Sequence, residues 1–167
     1  MKKIVLFSVC MVLVCSFLCG CLPNIMFIPS NDIIGEPQTF KKDGLTITLT
    51  DKFTEQESEV GFDAYFVADF CGVVVLKESF TLQEGLGEMS TEEYINNVIK
   101  NNGHTGVFAQ KKDGLWFYER TSDTSYAQSY SYKGSNAFWI VQFLCDPADK
   151  KTLSDTFYLW AQSVEVE

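Results

Sequence analysis

The chain has 167 residues, of which 46% are hydrophobic and 14% aromatic, a composition typical of one globular domain with an ample core. It carries 13 Lys and Arg against 22 Asp and Glu, a formal net charge of −9 at pH 7. This acidic balance argues against binding to nucleic acid and against electrostatic attraction to an anionic membrane surface, since both need clustered cations.

The first twenty residues predict export from the cytoplasm. Lys2 and Lys3 precede the apolar run IVLFSVCMVLVCSFL, and together they form the charged and hydrophobic regions of a signal peptide. Residues 18–21 (LCGC) resemble the lipobox of bacterial lipoproteins. That resemblance implies cleavage after Gly20, acylation of Cys21 and a domain anchored to the bacterial cell membrane, facing outside the cytoplasm. An ordinary signal peptide and an uncleaved anchor are the alternatives.

Three regions are expected along the chain. Residues 1–20 are the signal peptide, residues 21–38 contain the lipidated cysteine and a tether, and residues 39–167 form a single globular domain. Gly35 and three prolines break any regular element in the tether. The tether is also rather apolar, which indicates that part of it packs on the domain.

The domain begins with strand patterns. Residues 39–42 and 45–50 flank Asp43-Gly44, a pair typical of a tight hairpin turn. Two further strands are predicted at residues 61–69 and 73–80, on either side of a Cys-Gly pair. The first half of the domain is therefore expected to be mostly β-structure.

A helix follows these strands. Ser90 and Glu93 have the spacing of a capping box, and Gly103 supplies a stop signal. The apolar residues between these signals fall on one narrow helical stripe, which consists of Tyr94, Ile95, Val98 and Ile99.

The second half of the domain returns to strands and ends in a helix. Strands are predicted at residues 106–110, 115–121, 125–133 and 137–145. Asp146 and Pro147 suit the start of the closing helix. The buried face of this helix is predicted from its apolar spacing to contain Leu153, Phe157, Trp160, Ala161 and Val164.

The strands at residues 61–69 and 137–145 are apolar on both faces, so both faces need cover. The hairpin signals favour antiparallel pairing. Together they predict an α+β domain in which a largely antiparallel sheet of about six or seven strands has helices on both faces, an α/β/α sandwich.

This order of elements, the run NAFWIVQFLC and the closing helix FYLWAQSVEVE resemble the PsbP-like fold. That fold belongs to the extrinsic photosystem proteins and to small bacterial relatives, many of them lipoproteins. The resemblance covers residues 40–166 and implies a binding or assembly role more often than catalysis. It transfers no functional residue, because the chain matches no catalytic or metal-binding motif of that family.

Motifs for catalysis and cofactors are sparse, and we expect no metal and no cofactor. His104, the only histidine, follows Asn101-Asn102-Gly103 and is expected to be a solvated loop residue. A zinc site would have to use this histidine with Cys71 and Cys145. The two Asp-Gly pairs lack the preceding acids of a calcium loop, and no phosphate-binding glycine loop is present.

Two features carry the site predictions. Cys71 and Cys145 each lie at a strand end and form either a disulfide, as an extracytoplasmic location permits, or two buried thiols. An aromatic set on two successive strands is either core beneath a helix, with the intervening serines outward, or a binding surface. This set consists of Trp116, Tyr118 and Arg120 on the first strand and Tyr126, Tyr130 and Tyr132 on the second.

Two functions are compatible with these patterns. The first is a lipid-anchored, non-enzymatic binding or assembly protein that meets an unknown envelope protein or small ligand. The second is an extracytoplasmic hydrolase of envelope or extracellular polymers, which would need two carboxylates about 5 to 9.5 Å apart. The candidate acids are Asp63, Asp69, Glu78 and Glu119.

Overall fold

The computed structural model describes residues 35–58 and 61–167. Cys21, the predicted signal peptide and most of the predicted tether lie outside the described residues. The first half contains β1 (Pro37–Lys42), β2 (Leu45–Thr50), β3 (Thr54–Glu55), β4 (Ala64–Ala68), β5 (Cys71–Ser79) and α1 (Thr91–Asn101). The second half contains β6 (Gln110–Lys112), β7 (Leu115–Thr121), β8 (Tyr126–Lys133), β9 (Ala137–Cys145), α2 (Lys150–Gln162) and β10 (Glu165–Val166).

The strands form two antiparallel sheets. The larger sheet has seven strands in the order β3-β4-β5-β9-β8-β7-β6, and the smaller one has the order β1-β2-β10. The predicted α+β class and the antiparallel sheet of about seven strands are confirmed. The predicted first hairpin belongs to the smaller sheet.

Strand β9 lies at the centre of the larger sheet, and its alternating residues supply both cores. Trp139 and Phe143 point to the face that α2 covers, whereas Phe138 and Ile140 point to the face that α1 covers. All nine residues of β9 are buried. The predicted cover on both faces is therefore confirmed, and the domain is an α/β/α sandwich.

The core under α2, which we call the α2 core, joins the two sheets. Phe157 and Trp160 of α2 pack in the same buried cluster as Ile47 of β2 and Phe143 of β9. The rings of Phe143 and Phe157 are 5.4 Å apart between centroids. The smaller sheet thus completes the cover of this face, and burial of these large side chains is a main source of the domain's stability.

Helix α1 begins as the sequence predicts. The side chain of Ser90 accepts a hydrogen bond from the backbone N–H of Glu93, and the Glu93 carboxylate accepts one from the backbone N–H of Ser90. This capping box satisfies two of the N–H groups that a helix start leaves unpaired. The predicted stripe faces the sheet, with Tyr94, Ile95, Val98 and Ile99 all buried.

The two Asp-Gly pairs form matching hairpin turns. Asp43 and Gly44 have φ values of 48° and 94°, and Asp113 and Gly114 have 46° and 90°. A two-residue turn with both φ values positive matches the twist of the flanking strands, and Asp-Gly is among the pairs that adopt it most easily. The predicted hairpins are confirmed.

The structure corrects some boundaries. The strand predicted at residues 106–110 lies later, at Gln110–Lys112. Strand β1 begins at Pro37, two residues inside the predicted tether, and α2 follows a single 3-10 turn at Pro147–Asp149. Strands β3 and β10 contain two residues each, too few for an alternating pattern.

Candidate functional site

The six residues of the predicted aromatic surface do not form one surface. In the register between β7 and β8, Trp116 lies opposite Ser131 and Phe117 lies opposite Tyr130. Since residues that lie opposite each other share a sheet face, the tyrosines of β8 lie with Phe117 and not with Trp116. This geometry corrects the idea of a shared surface: one set faces α2 and the other faces α1.

The β8 set lies in the α2 core. Tyr126, Tyr130 and Tyr132 are buried, and the hydroxyl of Tyr132 donates to the backbone carbonyl of Ala161 in α2 at 2.7 Å. Burial raises the pKa of all three phenols, so each stays protonated. In the described structure these tyrosines act as core side chains.

A polar network that the sequence did not reveal connects two of these tyrosines. The buried amide of Gln128 donates to the hydroxyl of Tyr126 at 2.7 Å and to a Glu119 carboxylate oxygen at 3.1 Å. The amide oxygen of Gln128 accepts from the hydroxyl of Tyr130 at 2.8 Å. The other carboxylate oxygen of Glu119 lies 3.4 Å from the ammonium of Lys150 on α2. The only sequence signal was a Gln between tyrosines on the same strand face.

The β7 set lies on the α1 face and is more accessible. We call Trp116, Tyr118 and Arg120 the β7 strip. Trp116 and Arg120 are half-buried, and Tyr118 is buried. The ammonium of Lys111 lies 5.3 Å from the centre of a Trp116 ring, within cation–π range.

His104 borders the β7 strip, where the sequence predicted a solvated loop residue. Its ring centroid lies 5.7 Å from that of Tyr118, and the side chain is half-buried. Burial, and secondarily the charge of Arg120, lower the pKa of His104. The imidazole is therefore neutral at pH 7. The cations in this region are Arg120 of the strip and Lys111 beside it.

An exposed aromatic residue follows in the loop between α1 and β6. Val107 and Ala109 pack against the same buried cluster as Trp116, while Phe108 between them is 76% exposed. The exposed Phe108 side chain offers apolar area to a partner without being buried within the domain. Sequence analysis did not single out this residue, because its neighbours were assigned to a strand.

The core alternative expected the serines of β8 to point to solvent, and the structure shows that they do not. Ser129 and Ser131 are buried on the α1 face, and their hydroxyls have no hydrogen-bond partner among the described residues. Buried hydroxyls are usually paired, so these two serines are exceptions, as is the indole N–H of Trp139 on the α2 face.

The four candidate carboxylates do not form one cluster. Glu78 accepts a hydrogen bond at 2.8 Å from Tyr94 on the α1 face, whereas Glu119 lies in the network on the α2 face. Asp69 precedes β5, whereas Glu78 lies near the end of that strand. The strand start at Cys71 is roughly 23 Å from Glu78 at the usual rise per strand residue. Asp63 accepts from the backbone N–H of Lys77 at 2.6 Å.

Cys71 and Cys145 are both buried in the α2 core and are present as free thiols. Burial raises the pKa of the Cys71 thiol and raises that of Cys145 to about 12. Neither thiol is an activated nucleophile in this environment.

Other parts of the described chain offer little chemistry. An open pocket of about 430 Å³ lies between the β1–β2 turn and β10, and it contains none of the predicted site residues. Within residues 35–58 and 61–167, no three His, Cys, Asp or Glu side chains are grouped to hold a metal ion. None of the helices in that part of the chain has the length and apolarity to cross a membrane.

Comparison with solved structures identifies a similar fold. The chain is similar to the solution structure of cyanobacterial PsbP (CyanoP) from Synechocystis sp. PCC 6803, with a TM-score of 0.55 and 12% sequence identity. The match covers 84% of this chain and 98% of that chain. No protein-family model matches the chain, and no curated protein matches it. At this identity the similarity shows the fold alone, and the predicted PsbP-like fold is confirmed.

Proposed function

We propose that the protein is a lipid-anchored lipoprotein on the outer side of the bacterial cell membrane, with a non-enzymatic binding or assembly role. The charged and apolar start of the chain and the LCGC run support the anchor. The PsbP-like fold is compatible with an accessory role. Glu78 and Glu119 lie on opposite faces of the sheet, so these two candidate acids do not form the carboxylate pair that the hydrolase alternative needs.

The observation that carries the proposal is the β7 strip. It contains the half-buried Trp116 with Lys111 over its ring and, four residues further along the same strand face, Arg120, and the exposed Phe108 lies in the loop before β6. Trp, Tyr and Arg dominate the residues that carry binding energy at protein interfaces. The protein as a whole has a net charge of −9, whereas Arg120 of the strip and the neighbouring Lys111 are both cations.

The chemistry of the strip suggests its ligand. Arg120 and Lys111 favour a carboxylate or another anion, and Trp116 with Phe108 favours a flat or apolar group next to it. The partner is thus a protein segment or a small molecule that carries an acidic group beside an apolar one.

Affinity capture tests the binding role. The full-length protein, extracted from its envelope in detergent, is used as bait, and the captured species are compared among variants. Phe108→Ser and Arg120→Ala are expected to reduce recovery of a specific species at least tenfold, the loss of about 1.4 kcal/mol of binding energy. Leu159→Ser is the matched control, because Leu159 is 63% exposed on α2 and far from the strip in sequence. Equal recovery of that species by all variants would argue against the strip as the binding surface.

The anchor is tested separately by the mass of the mature protein. Protein isolated from the envelope is expected to begin at Cys21 and to carry acyl chains. An unmodified Cys21, or an intact Met1, would contradict the lipoprotein interpretation without bearing on the strip.

A further inference from the structure

The two thiols of the α2 core lie on neighbouring strands. Cys71 is the first residue of β5, and Cys145 is the last residue of β9. These strands pair antiparallel, with Gly72 opposite Leu144. One further step of the same register places Cys71 directly opposite Cys145.

The two side chains also point to the same face. Cys71 belongs to the same buried cluster as Val73 of β5, and Cys145 to the same cluster as Phe143 of β9. Directly opposed residues in an antiparallel pair have Cα atoms about 4.5 to 5.5 Å apart. Disulfides usually join Cα atoms about 4.4 to 6.8 Å apart, so the backbone of this pair already has a suitable separation.

We propose that Cys71 and Cys145 become joined by a cross-strand disulfide when the chain folds in the presence of an external disulfide. In this exchange both cysteines lose their thiol protons, one S–S bond forms between their sulfurs, and the S–S bond of the external disulfide breaks. The two protons and two electrons pass to the external disulfide, which leaves as two thiols. The proposal rests in part on the proposed location outside the cytoplasm, where such oxidants persist.

The packing determines when the bond forms. Both thiols have 0% of their surface exposed, and burial raises their pKa values, so the folded core hinders attack by an external oxidant. Exchange therefore takes place during folding, before α2 covers the strand ends. Once formed, the bond is shielded from reductants by the same packing.

The bond would link the two ends of a long segment. Residues 72–144 include α1 and strands β6, β7 and β8, so the crosslink constrains most of the seven-stranded sheet. Closing a long loop removes much of the freedom of the unfolded chain, and the stabilisation is expected to raise Tm by roughly 10 °C.

Peptide mapping tests the proposal. The full-length protein is prepared in two ways: isolated from the envelope, and reduced, unfolded and refolded in detergent with reduced and oxidised glutathione. Each sample is denatured without reductant, alkylated with iodoacetamide and digested with trypsin. Cys71 lies in the peptide of residues 53–77 and Cys145 in that of residues 134–150. We expect these two peptides as one linked species in both preparations, with a Tm that falls on reduction.

The refolded sample decides the inference. Separate, fully alkylated peptides from that sample would overturn it. They would show that Cys71 and Cys145 stay unlinked even when β5 pairs with β9 and an oxidant is supplied. Cys71→Ala and Cys145→Ala should each abolish the linked species and the redox dependence of Tm. An envelope sample with an intact Met1 but linked peptides on refolding would contradict the proposed lipid anchor and leave the disulfide supported.

Discussion

The two faces of the seven-stranded sheet differ in whether the buried polar side chains of β8 are paired. On the α2 face, Gln128 bonds both Tyr126 and Tyr130, and the aromatic rings of α2 and β9 contact one another. On the α1 face, the hydroxyls of Ser129 and Ser131 have no partner among the described residues. The α2 face is therefore a core to which β8 contributes a paired polar network, although the indole N–H of Trp139 on the same face has no partner among the described residues.

The α1 face combines a smaller core with accessible side chains. Helix α1 covers Phe138 and Ile140, but Trp116 and Arg120 at the margin remain half-buried. Side chains at this margin present part of their surface to solvent, where a partner can contact them. The comparison indicates that stability is concentrated on the α2 face and that binding belongs to the margin of the α1 face.

The largest expected effect comes from truncation in the α2 core. Phe157→Ala should lower the free energy of unfolding by about 4 kcal/mol, because Phe157 is fully buried and its ring contacts those of Tyr126, Phe143 and Trp160. Urea denaturation measures the change. Leu159→Ala on the same helix is the control and should change stability by less than about 0.5 kcal/mol, since Leu159 is exposed. A smaller loss from Phe157→Ala than from Ile95→Ala on α1 would contradict the difference between the faces.

Neighbouring residues on β8 compare the two faces directly. Gln128→Leu should cost about 2 kcal/mol, because it leaves the hydroxyls of Tyr126 and Tyr130 without their partner. Ser129→Ala should be neutral or slightly stabilising, because it removes a buried hydroxyl that has no partner among the described residues. Equal losses in urea midpoints for the two variants would contradict the difference in pairing between these two positions.

Removal of the capping box should have a smaller effect. Ser90→Ala is expected to cost about 1 kcal/mol, since the backbone N–H of Glu93 loses its acceptor. Ser90→Asp keeps an acceptor at this position and should retain most of the stability in the same denaturation assay. If Ser90→Asp lost as much stability as Ser90→Ala, the missing cap acceptor would not be the cause of the loss.

The smallest effect is a pH dependence from the margin of the α1 face. The pKa of His104 is lowered in the folded state, so unfolding takes up a proton when the pH falls below the unfolded value of about 6.5. The stabilisation is thus present above that value and is lost as the pH falls through the folded pKa. His104→Gln should flatten the dependence of Tm on pH between about 7 and 5, because the chain has one histidine. An unchanged profile would indicate that His104 has the same pKa folded and unfolded.

Much of the fold could be predicted because it depends on local signals. Asp-Gly turns, the capping box at Ser90 and apolar residues on both faces of β9 each have a direct physical meaning in sequence. The face of each side chain on a strand followed from alternation, but the relative register of β7 and β8 did not. That register decides that Trp116 and Tyr130 lie on opposite faces.

The candidate site was harder to predict for the same reason. Trp116, Tyr118 and Arg120 were identified as a set, but Lys111 joins them through the pairing of β6 with β7, and His104 through the path of the loop after α1. The network around Gln128 similarly depends on the pairing of β7 with β8, which places Gln128 opposite Glu119. Non-local pairing of this kind has no short sequence signature.

Site-specific photocrosslinking in the envelope tests the division between the faces most directly. A photoreactive p-benzoylphenylalanine replaces Phe108 in one sample and Leu159 in another, at two exposed apolar positions on different elements. The account predicts a discrete crosslinked species from position 108 that is lost when Arg120→Ala is added, and none from position 159. Crosslinks from position 159 alone, or a crosslink from position 108 that does not depend on Arg120, would contradict it.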